Sequence, residues 1–310
     1  MIDRPRVEID CRGEFVYRLA VSPCGSRVVA CDGGINLYDV SSNRYAGQLP
    51  KPDEAANCLM YSPDGKLIVA GGGGDESELM QHLRVYDAET LEKIASWKAN
   101  ESNVRMARFN PEGSLLVSCG VDARVRLWDT TDWSLVADIE GHSMNIQDVW
   151  FSRDGRKLIS GGLDGKPRIW DVASRAAITE FDGHDGENGI RNYAVAIHPD
   201  GEIAVCGFGN NMIRAWDTET GEQVAEIAVG DATNYLSFTP SGNTLVAVLW
   251  GGAFCVIDTS SWTVVNRVAA SDERTHGHAM TPDGKTLVLA SLASGHKIQL
   301  WDMDDVGGVG

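Results

Sequence analysis

The chain has 310 residues, 43% hydrophobic and 23% charged, the make-up of a globular protein with a sizeable core and not of a disordered one. Its 27 Lys and Arg face 44 Asp and Glu, a formal charge of -17 that repels phosphate backbones and anionic lipid heads, so neither nucleic acid nor a membrane is an expected partner. No stretch nears the ~18 apolar residues of a spanning helix, the start MIDRPRVEID lacks the apolar core of a signal peptide, and the seven cysteines are scattered without a C-x-x-C pair, so a cytoplasmic chain with reduced thiols is expected.

In chain order, the alternating segment PRVEID, residues 5–10, reads as a strand with no repeat of its own. After it one turn signal recurs seven times: SPCG, SPDG, NPEG, SRDG, HPDG, TPSG and TPDG, with glycines at Gly25, Gly65, Gly113, Gly155, Gly201, Gly242 and Gly284. Proline presets φ in such a turn and glycine supplies a left-handed position, which makes it a tight hairpin. A second signal ends an apolar run 14 to 22 residues later: INLYD, LRVYD, VRLWD, PRIWD, IRAWD, FCVID and IQLWD, closing on Asp39, Asp87, Asp129, Asp171, Asp217, Asp258 and Asp302. In the fourth unit IQDVWF, RKLISGG, KPRIWD and AAITEFD read as four short strands. No segment carries a helical period over ten or more residues. Seven units of about 42 residues, each a four-stranded antiparallel sheet, predict an all-β seven-bladed β-propeller.

The Trp-Asp and Tyr-Asp endings, with Gly-His pairs at residues 141–142 and 183–184, resemble the WD-repeat β-propeller family over residues 5 to 305. The resemblance implies a single domain, residues 1–305, followed by a flexible Gly-rich tail, residues 306–310. It also implies that residues 5–10 supply the outer strand of the last blade and so close the ring. An open ring would leave unpaired strand edges.

The family further implies a buried relay within a blade. In the fourth unit its members are His142, Ser160, Asp164 and Trp170, and in the third Ser118, Asp122 and Trp128. The chemistry of each permits indole N–H to hydroxyl, hydroxyl to imidazole and imidazole N–H to carboxylate. A Ser, a His and an Asp also suggest a hydrolase, but a nucleophile must be exposed beside an oxyanion hole, and this set recurs at one repeat register. The fifth unit departs, with Cys206 and Asn210 in the Ser and Asp places and His184 displaced by a longer loop. The sixth has Ile257 for Trp, and the first and second have Tyr38 and Tyr86.

Strands are scaffold in such a fold, so binding is assigned to loops and to the channel mouth. Family members build their partner face near the start of each innermost strand. The matching positions are Phe15 and Tyr17, Asn57, Asn103 and Arg105, Asn145 and Gln147, Arg191 and Tyr193, Asn234, and Arg274 and His276, with Trp250 at a nearby turn. Tyr and Arg anchor interfaces well, and three arginines in an acidic chain suggest an acidic partner. The loop GGGGDESELMQH, residues 71–82, is either a lid or a tolerated insertion. His276, His278 and His296 are considered as zinc ligands, yet with no fourth ligand no metal is assigned. No cofactor is expected.

Taken together these residues point to a non-catalytic scaffold that binds a protein or peptide on the propeller face, alone or as a subunit of a larger complex. The alternatives are a propeller enzyme, lactonase-like or quinone-dependent, and a small-anion sensor at the channel mouth.

Overall fold

The computed structural model describes residues 4–13, 16–50, 56–72, 79–183, 192–271, 274–291 and 297–305. Its strands form seven four-stranded antiparallel sheets. Six are built from consecutive strands, over residues 18–48, 58–98, 104–140, 146–180, 192–228 and 233–269. The seventh takes three strands from residues 275–302 and its outer strand, Val7–Asp10, from the other end of the chain. There Val7 pairs with Leu300 and Asp10 with Lys297, and Ile9 is fully buried. The first strand of each sheet packs on the first strand of the next, and Arg18–Val21 touches both Cys58–Tyr61 and Thr275–Met280, so the seven inner strands surround a central channel. This is a seven-bladed β-propeller. Among the described residues the only helical element is a 3-10 turn, Leu79–Gln81.

The core lies between blades, and this sets the pattern of each strand. Second and third strands are covered on both faces by neighbouring blades and therefore read as near-continuous apolar runs, as in Thr244–Leu249, where every residue is buried. Outer strands have one solvated edge and alternate, as in Lys93–Lys98. Between the fourth and fifth blades, for example, Ile159 and Ile169 pack with Val195, Ala204 and Trp216.

All seven turn glycines have φ between 70° and 80°, the left-handed region the turn demands. The first residue of the turn then fixes the hairpin: Ser62 Oγ accepts from Leu67 N at 2.9 Å, and Asn110 Oδ1 from Leu115 N at 2.9 Å. The aspartate that ends each third strand also has a physical task. Its Oδ1 accepts backbone N–H groups two or three residues on, from Thr90 to Asp87 at 2.7 Å, from Ser174 to Asp171 at 2.7 Å and from Thr220 to Asp217 at 2.8 Å. This caps the bend into the outer strand. Two of the bends then carry a tryptophan at positive φ, Trp133 and Trp262. Trp133 stacks on Trp97 of the preceding blade at 5.3 Å, so the bend also pins one blade to the next.

Candidate partner-binding face

In the third to seventh blades the inner strand does not pair residue for residue with the second. Val104 faces Gly120 while Met106 faces Cys119, which leaves Arg105 as an extra residue. The same shift leaves out Gln147, Tyr193, Asn234 and His276. A bulge of this kind bends the strand and re-aims a side chain away from the ladder. Five candidates from the sequence therefore occupy one structural position, repeated around one rim of the channel, at the opposite end of the inner strands from the turn prolines.

The candidates divide by what they do there. Tyr17 is 52% exposed and Arg274 is also exposed, while Arg105, Asn145, Gln147, Trp250 and His276 are half-buried. Trp250 meets the His276 ring edge-on at 5.2 Å. Three asparagines are engaged between blades instead: Asn57 Nδ2 donates to Asn103 Oδ1 and to Val104 O at 3.2 Å, and Asn234 Nδ2 donates to Thr275 O at 2.7 Å. Phe15 and Arg191 lie outside the described residues, as do residues 73–78 of the loop 71–82 and the tail 306–310, and for Tyr193 only the backbone is described.

One residue of this rim escapes a reading by repeats. Arg18 donates from Nε to Asn57 O at 2.6 Å, and from Nη1 to Tyr17 O at 3.0 Å and His276 O at 3.1 Å. It ties the first, second and seventh blades at the seam, through backbone carbonyls that no side-chain pattern marks.

The relay residues of the fourth blade form one hydrogen-bonded chain. Trp170 Nε1 donates to Ser160 Oγ at 2.8 Å, Ser160 Oγ to His142 Nε2 at 2.7 Å, and His142 Nδ1 to Asp164 Oδ1 at 2.9 Å. Burial pushes the His142 imidazole below its ordinary range. Burial raises Asp164, but hydrogen bonds from His142 and Arg168 outweigh it and hold the carboxyl well below the usual range. A neutral imidazole and an ionised carboxylate are what this direction of donation requires. Gly162 leaves the needed room, since a Cβ there would lie 2.7 Å from His142 Nδ1. Ser160 has no exposed surface, so its hydroxyl is committed to the relay and offers no site for nucleophilic attack.

The third blade makes the same chain with an amide in place of the imidazole. Trp128 Nε1 donates to Ser118 Oγ at 3.0 Å, Ser118 Oγ to Asn100 Oδ1 at 3.1 Å, and Asn100 Nδ2 to Asp122 Oδ1 at 3.1 Å. The sequence reading missed Asn100, although it stands 42 residues before His142, one repeat away. In the first blade Asp32 accepts from Tyr38 Oη and from Asn36 Nδ2 at 2.7 Å, and also from Arg12 N at 3.1 Å, which anchors the chain as it leaves the closing strand. In the fifth blade Trp216 stacks on Phe181 at 5.2 Å, and Cys206 Sγ donates to its neighbour Gly207 O at 3.8 Å.

His276 and His278 are turned to different partners, because the bulge at His276 interrupts the alternation of the strand. His278 lies on the Tyr235 ring at 4.5 Å, and burial, with Arg18 and Arg108 nearby, pushes its imidazole well below the ordinary range. His296 lies outside the described residues, and among those residues no group of three or more metal-ligating side chains comes together.

Residues 91–129, 133–171 and 176–217 match the family model described as WD domain, G-beta repeat. Each matched unit begins with the outer strand of one blade and ends with the third strand of the next. The chain is similar to the target of rapamycin complex subunit wat1 of Schizosaccharomyces pombe, 25% identical over 116 residues, 36% of this chain and 37% of that protein. It is also similar to the serine-threonine kinase receptor-associated protein of Dictyostelium discoideum, 35% identical over 72 residues, 23% of this chain and 22% of that protein. A third relative, transcription factor unc-37 of Caenorhabditis elegans, is 30% identical over 91 residues, 29% of this chain and 14% of that protein. The chain thus spans well under half the length of these relatives. Among the described residues no helix is long and apolar enough to cross a membrane.

Proposed function

Because the chain belongs to the WD-repeat family, we propose that it is a non-catalytic scaffold that docks an acidic protein or peptide on the rim where its inner strands begin. The ring of bulges carries this reading. It places Arg105, Gln147 and His276 on one rim, with Tyr17 and Arg274 exposed beside them, and bulges gather where a strand must re-aim a side chain toward a site. Guanidinium and phenol groups supply large contact area with directed hydrogen bonds, and the rim arginines offer local attraction to carboxylates on a chain of net charge -17. Asn57, Asn103 and Asn234 serve this surface by holding adjacent blades in register. The relatives' names, a complex subunit and a receptor-associated protein, favour work inside an assembly, and seven cysteines without a disulfide among them favour the cytoplasm.

Affinity capture from the native cell, with the chain and with an Arg105→Glu, Arg191→Glu, Arg274→Glu triple variant, tests the surface. Loss of the captured partners at an unchanged melting temperature is the expected result. Full retention of those partners by a folded triple variant removes this rim from consideration.

A further inference from the structure

The other end of the channel, where the seven hairpin turns converge, holds a cavity of about 450 Å³. A second, of about 340 Å³, adjoins it and shares Trp150, Phe151, Arg153 and Tyr235 with it. Three observations on these walls point to a ligand. The first concerns Arg153, which stands where the other six turns carry proline. Its Nη1 reaches two blades away to Pro240 O at 2.7 Å, and among the described residues no carboxylate pairs with it. An exposed guanidinium held by one neutral carbonyl exchanges that partner readily for an anion, which it binds as a fork.

The second observation is the body of the cavity. Trp150 and Tyr235 lie 6.1 Å apart, and Met60, Met106 and Met280 complete an apolar wall of flat and deformable side chains. The Trp150 face already carries the Arg108 guanidinium, 3.5 Å from the ring centroid. The third observation is polar. Tyr61 Oη, Trp150 Nε1 and His278 Nδ1, all on residues of this wall, are withdrawn from solvent and have no hydrogen-bond partner among the described residues. Buried polar groups in native proteins are as a rule satisfied, and a small rotation of these three side chains would be needed to bring them to a ligand's oxygens or hydroxyl.

We infer that the turn end of the channel is a binding site for a small carboxylic acid with a flat apolar body, the carboxylate held by Arg153 at the mouth and the body lodged in the cavity against Trp150 and the methionines Met60, Met106 and Met280. A cationic ligand is disfavoured on the same observations. Arg18, Arg108 and Arg153 all line the cavity, and the nearby carboxylate of Asp148 is already bound by Arg108 at 3.1 Å. Arg153 lies at the opposite end of the channel from the rim proposed for a protein partner, and the site does not depend on that rim being occupied.

Calorimetric titration of the full chain with 2-naphthoate, 2-naphthylmethanol and 2-naphthylmethylammonium tests this, since the three probes share a body and differ in charge. We expect saturable one-to-one binding of the naphthoate, at least tenfold weaker binding of the alcohol, and none of the ammonium. Arg153→Ala should weaken the naphthoate at least tenfold and leave the alcohol unchanged. Arg153→Pro restores the turn residue of the other units, keeps the hairpin folded and should show the same loss. No saturable binding of the naphthoate, or equal binding by the chain and a folded Arg153→Pro variant, overturns the proposal.

Discussion

Glu8 in the closing strand and Lys297 in the third strand of the last blade form an ion pair at 2.7 Å across 289 residues of sequence. Both side chains are well exposed, so the pair itself contributes little. The seam is held by the four paired residues and by burial of Ile9. Removing residues 1–12 exposes the edge of the seventh blade and should lower the melting temperature by roughly 5–10 °C or more, whereas Glu8→Ala should shift it by about 1 °C. Scanning calorimetry distinguishes the two, and an unchanged value for the truncated chain would contradict closure by this strand.

Ser160→Ala leaves Trp170 Nε1 and His142 Nε2 each without a partner in a buried setting. We expect a loss of about 1–3 kcal/mol in urea unfolding, and a similar loss for Ser118→Ala, which strips the partner from Trp128 Nε1 and Asn100 Oδ1. Asn100→Ala should match Ser118→Ala. If it is neutral, the amide is not a working member of the third blade's chain.

Arg108 and Asp148 form a buried pair, and Asp148 also accepts from Val149 N at 3.0 Å and Val195 N at 3.3 Å, which brings the third, fourth and fifth blades to one carboxylate. Arg108→Met strands that carboxylate and should cost about 3–5 kcal/mol. Adding Asp148→Asn should recover most of the loss. Equal stability of the single and double variants in denaturant titration would show that charge is not the cause.

Burial holds His278 and His142 below their ordinary range, so the folded chain keeps them neutral where the unfolded chain accepts protons. Stability that is full above an unfolded value near ~6.5 is then lost as pH falls below it. The melting temperature should be level from about pH 8 to 7 and decline between about pH 6.5 and 5, above the range in which carboxylates titrate. His278→Gln should flatten that decline, and a slope identical to the parent's would exclude His278 as its source.

What the sequence made legible was what repeats within a blade. The turn glycines, the aspartates that end each third strand and the four-strand unit follow from a single period and simple turn chemistry, while the loan of Val7–Asp10 to the last blade was implied by the family resemblance. Contacts between blades were not legible, because they join positions that the period does not align. Arg18 reaches backbone carbonyls of three blades, Arg153 skips a blade to reach Pro240, and the two-residue spacing of His276 and His278 is undone by a bulge. Asn57, Asn103 and Asn234 looked like binding groups for the same reason, since only the neighbouring blade shows that they are engaged. Asn100 was hidden differently, as an amide performing an imidazole's task.

The antiparallel seam has a mechanical meaning. Val7, where the closing strand begins, sits opposite Leu300, close to where its partner ends. A pull between the two ends of the chain therefore loads one bond at a time, as a zipper is opened from its tab. The same ring that resists heat as a closed circle should open under small force, and always at this seam, while the six other blades, each made from one stretch of chain, stay whole.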